Sequence, residues 1–574
     1  MSALKKLIFP QPANVSTSAP ASDAEPEENL LPPPRPPMSA SPPRILIIGA
    51  GSRGRAYARA IISSCNGFVV AVAEPDDYKR TQFGRTMIWG VEEPPAEGAA
   101  FHGWRDFVEY ETKRRARVRA GEPNVPAGID AAFVCVLDEM HREVVVALTE
   151  LGGLHIMCEK PLATSLQDCV DMYGALRSNK SGTGEQMLFS IGHVLRYSPH
   201  NMLLRKLLLE DRVIGDVLSV AHTEPVGWWH FTHSYVRGNW RRESTTAPSL
   251  LTKSCHDIDV LLWLLCSPPS CSESSQASSA PPHLPSAVSS TGGLQYFKRT
   301  RKPLAAGKAT NCLSCPIEDS CKYSAKRIYV GGELAGLGSA NTHWPVSIVV
   351  PDIESYSGGD AAREALLSEL ARDYDEGMPD SQIAQRNWFG RCVYESDNDV
   401  CDEQVVTITW DEDPLPALPS ATAAESALVS DPMRGRGAKT ATFHMVAHTK
   451  KICDRYTHLY GVDGEIYADS TTITVQDFRT GQTTTHRPRL ESLGHGGGDA
   501  GLARQFVLAV DKVKNHGWAT DKAQKELIGC TLEEVIRSHA LVFCAEEARK
   551  GKKVVDWSDW WAREVEQNLA ELSA

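Results

Sequence analysis

The sequence predicts an α/β protein whose N-terminal part is a doubly wound parallel sheet. Three observations predict it. Apolar runs of strand length, Arg44–Ile48, Phe68–Ala73, Ala131–Val136 and His155–Cys158, alternate with helix-length segments. A glycine-rich turn, Gly49-Ala50-Gly51-Ser52-Arg53-Gly54, joins the first run directly to a helical pattern. A charged Glu159-Lys160-Pro161 leaves the end of the fourth run, and open α/β sheets gather ligands at that strand end.

The 574 residues suffice for two or more domains, and 42% apolar with 23% charged residues fits an ordinary globular chain. A net charge of -12 argues against a nucleic-acid partner or an anionic membrane. No apolar run nears the roughly 20 residues that cross a bilayer. The first ten residues do not read as a secretory signal, and the 15 cysteines are scattered, so reduced thiols of a cytoplasmic protein are expected.

Residues 1–43, rich in Pro, Ser and Ala, bury too little apolar surface to order and are expected to form a disordered tail. Gly49 then makes a tight turn, Gly51 lets backbone approach a pyrophosphate, and Gly54 lets helix and strand pack closely. Glu74 ends the second strand about 20 residues further on, where an acid binds ribose hydroxyls. That acid would repel a 2′-phosphate, which favours NAD; Arg53 and Lys79-Arg80 nearby keep NADP open. After Pro161, Thr164 and Gln167 have the spacing of a capping box. A last strand at 187–192 closes the first domain, expected over 44–192.

The glycine loop, Glu74, His141 opening a helix, and Glu159-Lys160-Pro161 together resemble the Gfo/Idh/MocA oxidoreductases. The resemblance covers roughly 44–265 and resumes at roughly 440–556. It implies a Rossmann domain followed by an α/β domain with an open, mostly antiparallel sheet, here 193–574. It assigns the cofactor to Gly49, Gly51, Ser52, Arg53, Gly54, Glu74, His141, Glu159 and Lys160, with Lys160 touching the substrate as well. It also places the Arg196-Tyr197 pair near the substrate.

The second domain opens with a strand at Asp216–Val226. The stretch Trp228–Trp240 then offers the aromatic faces and directional polar groups that a sugar or cyclitol site needs, Trp240 among them. On the next helix Thr252, Lys253 and His256 share one face. Ser-Cys-His-Asp at 254–257 resembles the family motif and makes His256 the expected catalytic histidine, closest in look to cyclitol and aminosugar dehydrogenases of antibiotic pathways. The family's Asp one turn earlier is here Thr252, so the usual carboxylate partner is missing; Lys253 is a candidate replacement. Residues 267–293 and 411–438 read as low-complexity inserts. Cys312, Cys315 and Cys321 have the spacing of soft metal ligands, which suits a structural zinc. The loop Gly494–Asp499 resembles one the family carries near its substrate, which adds His495 and Asp499 as substrate residues.

The expected function is hydride transfer between NAD(P) and a secondary alcohol of a sugar, cyclitol or glycoside. His256 is the expected base, and Lys160 the cation that steadies the developing alkoxide. Two other classes remain open: an NAD-using glycoside hydrolase or lyase that oxidises transiently, and a non-catalytic NAD-binding sensor. The expected partners are a small carbohydrate-like substrate and a second copy of the chain in a homo-oligomer.

Overall fold

The computed structural model of the chain describes residues 34–178, 187–267, 281–415, 433–490 and 494–573. The expected N-terminal tail falls largely outside these residues. Its described end is held: Arg35 donates to the Cys65 carbonyl at 2.7 Å and Ser39 to Asp511 at 2.9 Å.

Six parallel strands form the first sheet in the order β3-β2-β1-β4-β5-β6. They are β1 (Arg44–Ile48), β2 (Phe68–Ala73), β3 (Ala100–Phe101), β4 (Ala131–Val134), β5 (His155–Cys158) and β6 (Phe189–Ile191). The runs are apolar throughout because helices cover both faces of a parallel sheet; Ile45 to Ile48 are at most 1% exposed. The crossover helices are α1 (Ser52–Ser64), α2 (Asp77–Met87), α3 (Trp104–Arg119), α4 (His141–Leu151) and α5 (Leu166–Ser178). Ser165, not Thr164, serves α5, since its hydroxyl accepts from the Asp168 amide at 3.1 Å.

The second sheet has nine strands, β14-β13-β12-β11-β7-β10-β9-β8-β15, and every pair is antiparallel except β10 with β7. They are β7 (Val217–Pro225), β8 (Ala287–Gly293), β9 (Glu403–Trp410), β10 (Lys439–Val446), β11 (Tyr456–Gly461), β12 (Gly464–Ala468), β13 (Ile473–Asp477), β14 (Thr483–His486) and β15 (Val554–Asp556). The expected loop at 267–293 therefore ends in a sheet strand; residues 268–280, and 416–432 of the second insert, lie outside the described residues. Helices α6 (Ser249–Leu265), α8 (Gly498–His516) and α9 (Leu532–Gly551) complete the domain, and α8 reaches back to α1 and the first sheet, with Phe506 edge-on to Phe133 of β4 at 5.4 Å. No helix among the described residues is long and apolar enough to cross a membrane.

Between β8 and β9 the chain leaves the sheet for residues 294–402, which include α7 (Gly359–Leu370) and a small core of their own around Tyr329, Val346 and Leu366. Asp402 closes the base of this excursion by accepting from the amides of Gln295 and Tyr296, both at 2.8 Å. Arg237, fully buried, donates to the carbonyls of Arg391 and Tyr323, and Arg241 pairs with Asp397. These contacts fix the excursion against the mouth of the cleft between the two sheets.

Candidate active site

The glycine loop has the shape a pyrophosphate requires. Gly49 sits at φ +97, and a side chain there would lie 2.5 Å from the Cys135 carbonyl; one at Gly54 would strike the Gly49 carbonyl. Gly51 faces open space and caps α1 without a side chain, so the first amides of that helix stay available to an anion. Glu74 is buried and accepts from the amides of Ala50 at 2.8 Å and Asp76 at 3.1 Å, which ties the end of β2 to the loop. A dinucleotide fits this donor set.

Next to the loop is a charged cluster that binds the two domains together. Arg53 makes a two-pronged pair with Asp499, at 3.0 Å on each prong, and a 2.6 Å contact with Glu159. Burial works against the Glu159 carboxylate, but Arg53 and Lys160 outweigh it and hold its pKa below the usual range. Asp499 is held low in the same way by Arg53 and His495. His495 Nδ1 lies 3.0 Å from the Asp499 carboxylate. Asp499 is thus a buried ion-pair partner behind the cleft, whereas His495 lines it.

The cleft is a cavity of about 1200 Å³, lined by Ser52, Arg53, Glu159 and Lys160 from the first domain and by Lys253, His256 and His495 from the second. Lys160 Nζ donates to the Thr252 carbonyl at 2.6 Å, one helical turn before His256. The two residues expected to act together therefore meet on one cavity. Position 252, where threonine stands in place of the family's carboxylate, contributes through its backbone carbonyl.

His256 stands among charged groups. Arg455 donates to His256 Nε2 at 2.8 Å while also pairing with Glu224 at 3.0 Å and with Asp257. A guanidinium has no lone pair to offer, so Nε2 accepts and Nδ1 carries the proton. That Nδ1 is buried and has no hydrogen-bond partner among the described residues. Burial lowers the His256 pKa well below the usual imidazole range; Asp257 opposes the shift, and Arg455 and Lys160 add to it. His256 Nε2 thus lies against Arg455 and, at 3.4 Å, the Asp257 carboxylate, and burial disfavours the charged imidazole.

Lys253 is paired with Glu224 at 2.9 Å and touches Cys453 Sγ at 3.0 Å. Trp240 lines the cavity, its indole donating to Asp138 at 2.8 Å. His141 is buried beneath the site, donating from Nδ1 to the Pro161 carbonyl at 2.7 Å. Arg196 and Tyr197, expected near the substrate, face elsewhere. Arg196 is 3% exposed and spends its guanidinium on Asp259 and Glu534, and the Tyr197 hydroxyl donates to the Ile528 carbonyl.

The structure gives the zinc expectation no support. The sulfurs of Cys312, Cys315 and Cys321 do not converge within 4.8 Å, and Cys312 Sγ accepts from Arg237 instead. One other trio, His193, Cys255 and His539, does converge, but His539 spends Nε2 on the Leu162 amide and Nδ1 on the Val535 carbonyl.

Sequence reasoning missed Arg455, Glu224 and Cys453, which carry no motif. Asp257 stood beside His256 in the motif and was the one legible signal. It also missed the outer wall, where Trp344, Asn387 and Phe389 of the 294–402 excursion line the cavity. Trp344 lies edge-on to His230 at 5.0 Å, and Phe389 stacks on His233 at 5.2 Å. Burial keeps both histidines neutral, His230 well below the usual range and His233 down to about 3.

Residues 43–183 match an oxidoreductase family's NAD-binding Rossmann fold, and residues 206–290 match the C-terminal alpha/beta domain of the same family. Over 137 residues the chain is 31% identical to 2,7-anhydro-N-acetylneuraminate hydratase of Escherichia coli, covering 24% of this chain and 34% of that protein. Over 224 residues it is 27% identical to inositol 2-dehydrogenase 2 of Saccharopolyspora erythraea, covering 38% of this chain and 52% of that protein. The chain thus spans about a third to a half of the length of these relatives. Among solved structures, levoglucosan dehydrogenase with NADH and levoglucosan is similar at TM-score 0.51 and 14% identity, over 90% of this chain and 99% of that one. An inositol dehydrogenase homolog with NAD+ from Azotobacter vinelandii is similar at TM-score 0.53 and 12% identity, over 90% and 98%. At these identities the likeness establishes the fold.

Proposed function

We propose that this chain, a member of the Gfo/Idh/MocA oxidoreductase family, transfers hydride between NAD(H) and a secondary alcohol of a sugar or cyclitol. The observation that carries the reading is one cavity lined by the glycine-loop residues Ser52 and Arg53 together with Lys160 and His256. When bound, the nicotinamide supplies the hydride acceptor or donor. The chain must hold the substrate hydroxyl, steady the charge that grows on its oxygen, and keep water out.

Lys160 brings an ammonium to that oxygen, held in place by the Thr252 carbonyl, while its backbone amide donates to Glu159. His256 Nδ1–H is a second donor to the same oxygen, its tautomer fixed by Arg455. Two donors aimed at a developing alkoxide lower the barrier because they are already oriented before reaction. The outer wall of aromatic rings and neutral imidazoles suits a hydroxyl-rich, uncharged substrate. The cavity of about 1200 Å³ has to take the nicotinamide end of the cofactor as well as the substrate.

The hydratase name of one relative supports a second reading, redox chemistry that returns the hydride and changes no net oxidation state. A panel of cyclitols, monosaccharides, anhydrosugars and aryl glycosides, followed both for NADH and for product, separates the two. Net NADH with a sugar or cyclitol supports the dehydrogenase. Product without NADH supports transient redox. Neither signal from any member would reject the proposal.

A further inference from the structure

Lys160 can serve the reacting oxygen only if the turn that carries it is fixed, and that turn lies beyond the end of β5. We propose that His539, on α9, is a positioning residue that holds the Lys160 turn; the inference rests on the oxidoreductase reading above.

Once a strand ends, the buried polar groups of the backbone need partners other than the ladder. Here side chains take over. The Lys160 amide donates to Glu159 at 2.9 Å, the Pro161 carbonyl accepts from His141 at 2.7 Å, and the Leu162 amide donates to His539 Nε2 at 2.8 Å. Glu159 and His141 belong to the first domain. His539 belongs to the second, so its bond ties the backbone of the turn across to the substrate side. Because Nε2 accepts, the neutral ring carries its proton on Nδ1, which donates to the Val535 carbonyl at 2.8 Å. Both nitrogens are used, and the ring is held in one orientation. It is fully buried, and burial with His193 beside it takes its pKa down to about 3, so the accepting lone pair is kept.

Behind His539 stands Arg196, the arginine that the sequence pattern put near the substrate. His193 stacks on His539, with centroids 5.2 Å apart and planes within 11°, and its Nδ1 lies 3.0 Å from the Asp259 carboxylate on α6. Arg196 grips Asp259 with two bonds, at 2.7 and 2.8 Å, and reaches Glu534 in the first turn of α9 at 3.0 Å. Arg196 therefore locks α9 to α6, the helix that carries His256 and offers the Thr252 carbonyl to Lys160 Nζ. The backbone that follows Lys160 is held from α9, its tip is held from α6, and the two helices are held to each other. A misplacement of about 1 Å at a reacting group can cost roughly a hundredfold in rate.

The test uses the full chain with NAD and a substrate found in the panel, and follows NADH formation in a single turnover. His539→Gln puts an acceptor oxygen where Nε2 stands; His539→Met has the same length without a strong acceptor. His539→Met should lower the hydride-transfer rate roughly tenfold or more, the scale of one lost hydrogen bond, with NAD affinity and substrate KM kept within a few-fold. His539→Gln should return most of the rate. In the Lys160→Met background, His539→Met should cost nothing further, since the group it positions is gone; a merely structural histidine would cost the same in both backgrounds. Circular dichroism shows which variants fold. If His539→Met does not, His539→Asn replaces it, since its shorter amide serves Val535 and leaves Leu162 unpaired. A wild-type rate in His539→Met or His539→Asn, a His539→Gln rate as low as theirs, or additive losses with Lys160→Met would overturn the positioning role while leaving the oxidoreductase reading intact. No NADH or product from any sugar or cyclitol would remove the reading, and the role with it.

Discussion

Two buried clusters flank the cleft, and each is centred on an arginine between two carboxylates. On the cofactor side Arg53 joins Glu159 and Asp499. On the substrate side Arg455 joins Glu224 and Asp257. They differ in what they present to the neighbouring histidine. The first turns a carboxylate toward His495, the second turns the guanidinium toward His256. Two imidazoles in one cavity are therefore held by different partners, His495 by a carboxylate and His256 by a guanidinium with the Asp257 carboxylate 3.4 Å away. Residue type alone does not assign an acid–base role; the group on the far nitrogen does.

The largest effect expected from breaking this contrast is at Arg455. Arg455→Met would leave Glu224 and Asp257 buried with Lys253, His222 and His256 beside them. Removing one side of a buried charge network costs about 3–5 kcal/mol, to be read as a lower denaturation midpoint in urea. An unchanged midpoint would show that the substrate-side cluster does not hold the domain.

The next effect is on stability against pH. Burial holds His155 down to about 4 and His233 and His539 down to about 3. Their unfolded pKa is about 6.5, so each is neutral in the fold and takes up a proton on unfolding below that pH. Their contribution is full above about pH 6.5 and is lost as pH falls toward 4, by about 1.4 kcal/mol per pH unit for each histidine. The cleft carboxylates held low, Glu159, Asp257 and Asp499, contribute above their unfolded pKa, about 4, and lose it only as pH falls further. Unfolding free energy should thus drop steeply from pH 6.5 to 5; a flat profile there would contradict neutral buried histidines.

A smaller effect sharpens the cofactor side. Glu74→Ala removes the carboxylate that ties β2 to the glycine loop, and should weaken NAD binding roughly tenfold, the scale of about 1.4 kcal/mol, and narrow the preference over NADP. Calorimetric titration reads both; NADP bound as tightly as NAD by the wild type would end the assignment of Glu74. The smallest effect is expected at Cys315→Ser. With the sulfurs unconverged it should change stability by less than about 0.5 kcal/mol, and metal analysis should find no stoichiometric zinc in either protein.

The cofactor half was legible in the sequence because its chemistry is local. A strand, a tight glycine turn and a helix are contiguous, so Gly49, Gly51 and Glu74 announce themselves by spacing. Lys160 was legible because Pro161 marks the strand end on which it stands. The substrate half was not, because its cluster is assembled from β7, α6 and the residue before β11: Glu224, Asp257 and Arg455 are distant in the chain and carry no common period. Arg196 misled because an arginine at a domain junction has the same local pattern whether it meets substrate or, as here, Asp259. The 294–402 excursion, outside both matched family segments, left no trace as a wall of the site, since Trp344 and Asn387 reach the cavity through a fold of short turns.

The central claim is that Lys160 holds the reacting oxygen at a nicotinamide site. It is tested most directly by single-turnover NADH formation in Lys160→Met beside the wild type, at saturating NAD and substrate. The account predicts unchanged NAD affinity and a hydride-transfer rate lower by roughly two to three orders of magnitude, the scale of losing one preorganised donor to a developing oxyanion. A Lys160→Met protein that forms NADH at the wild-type rate would contradict it.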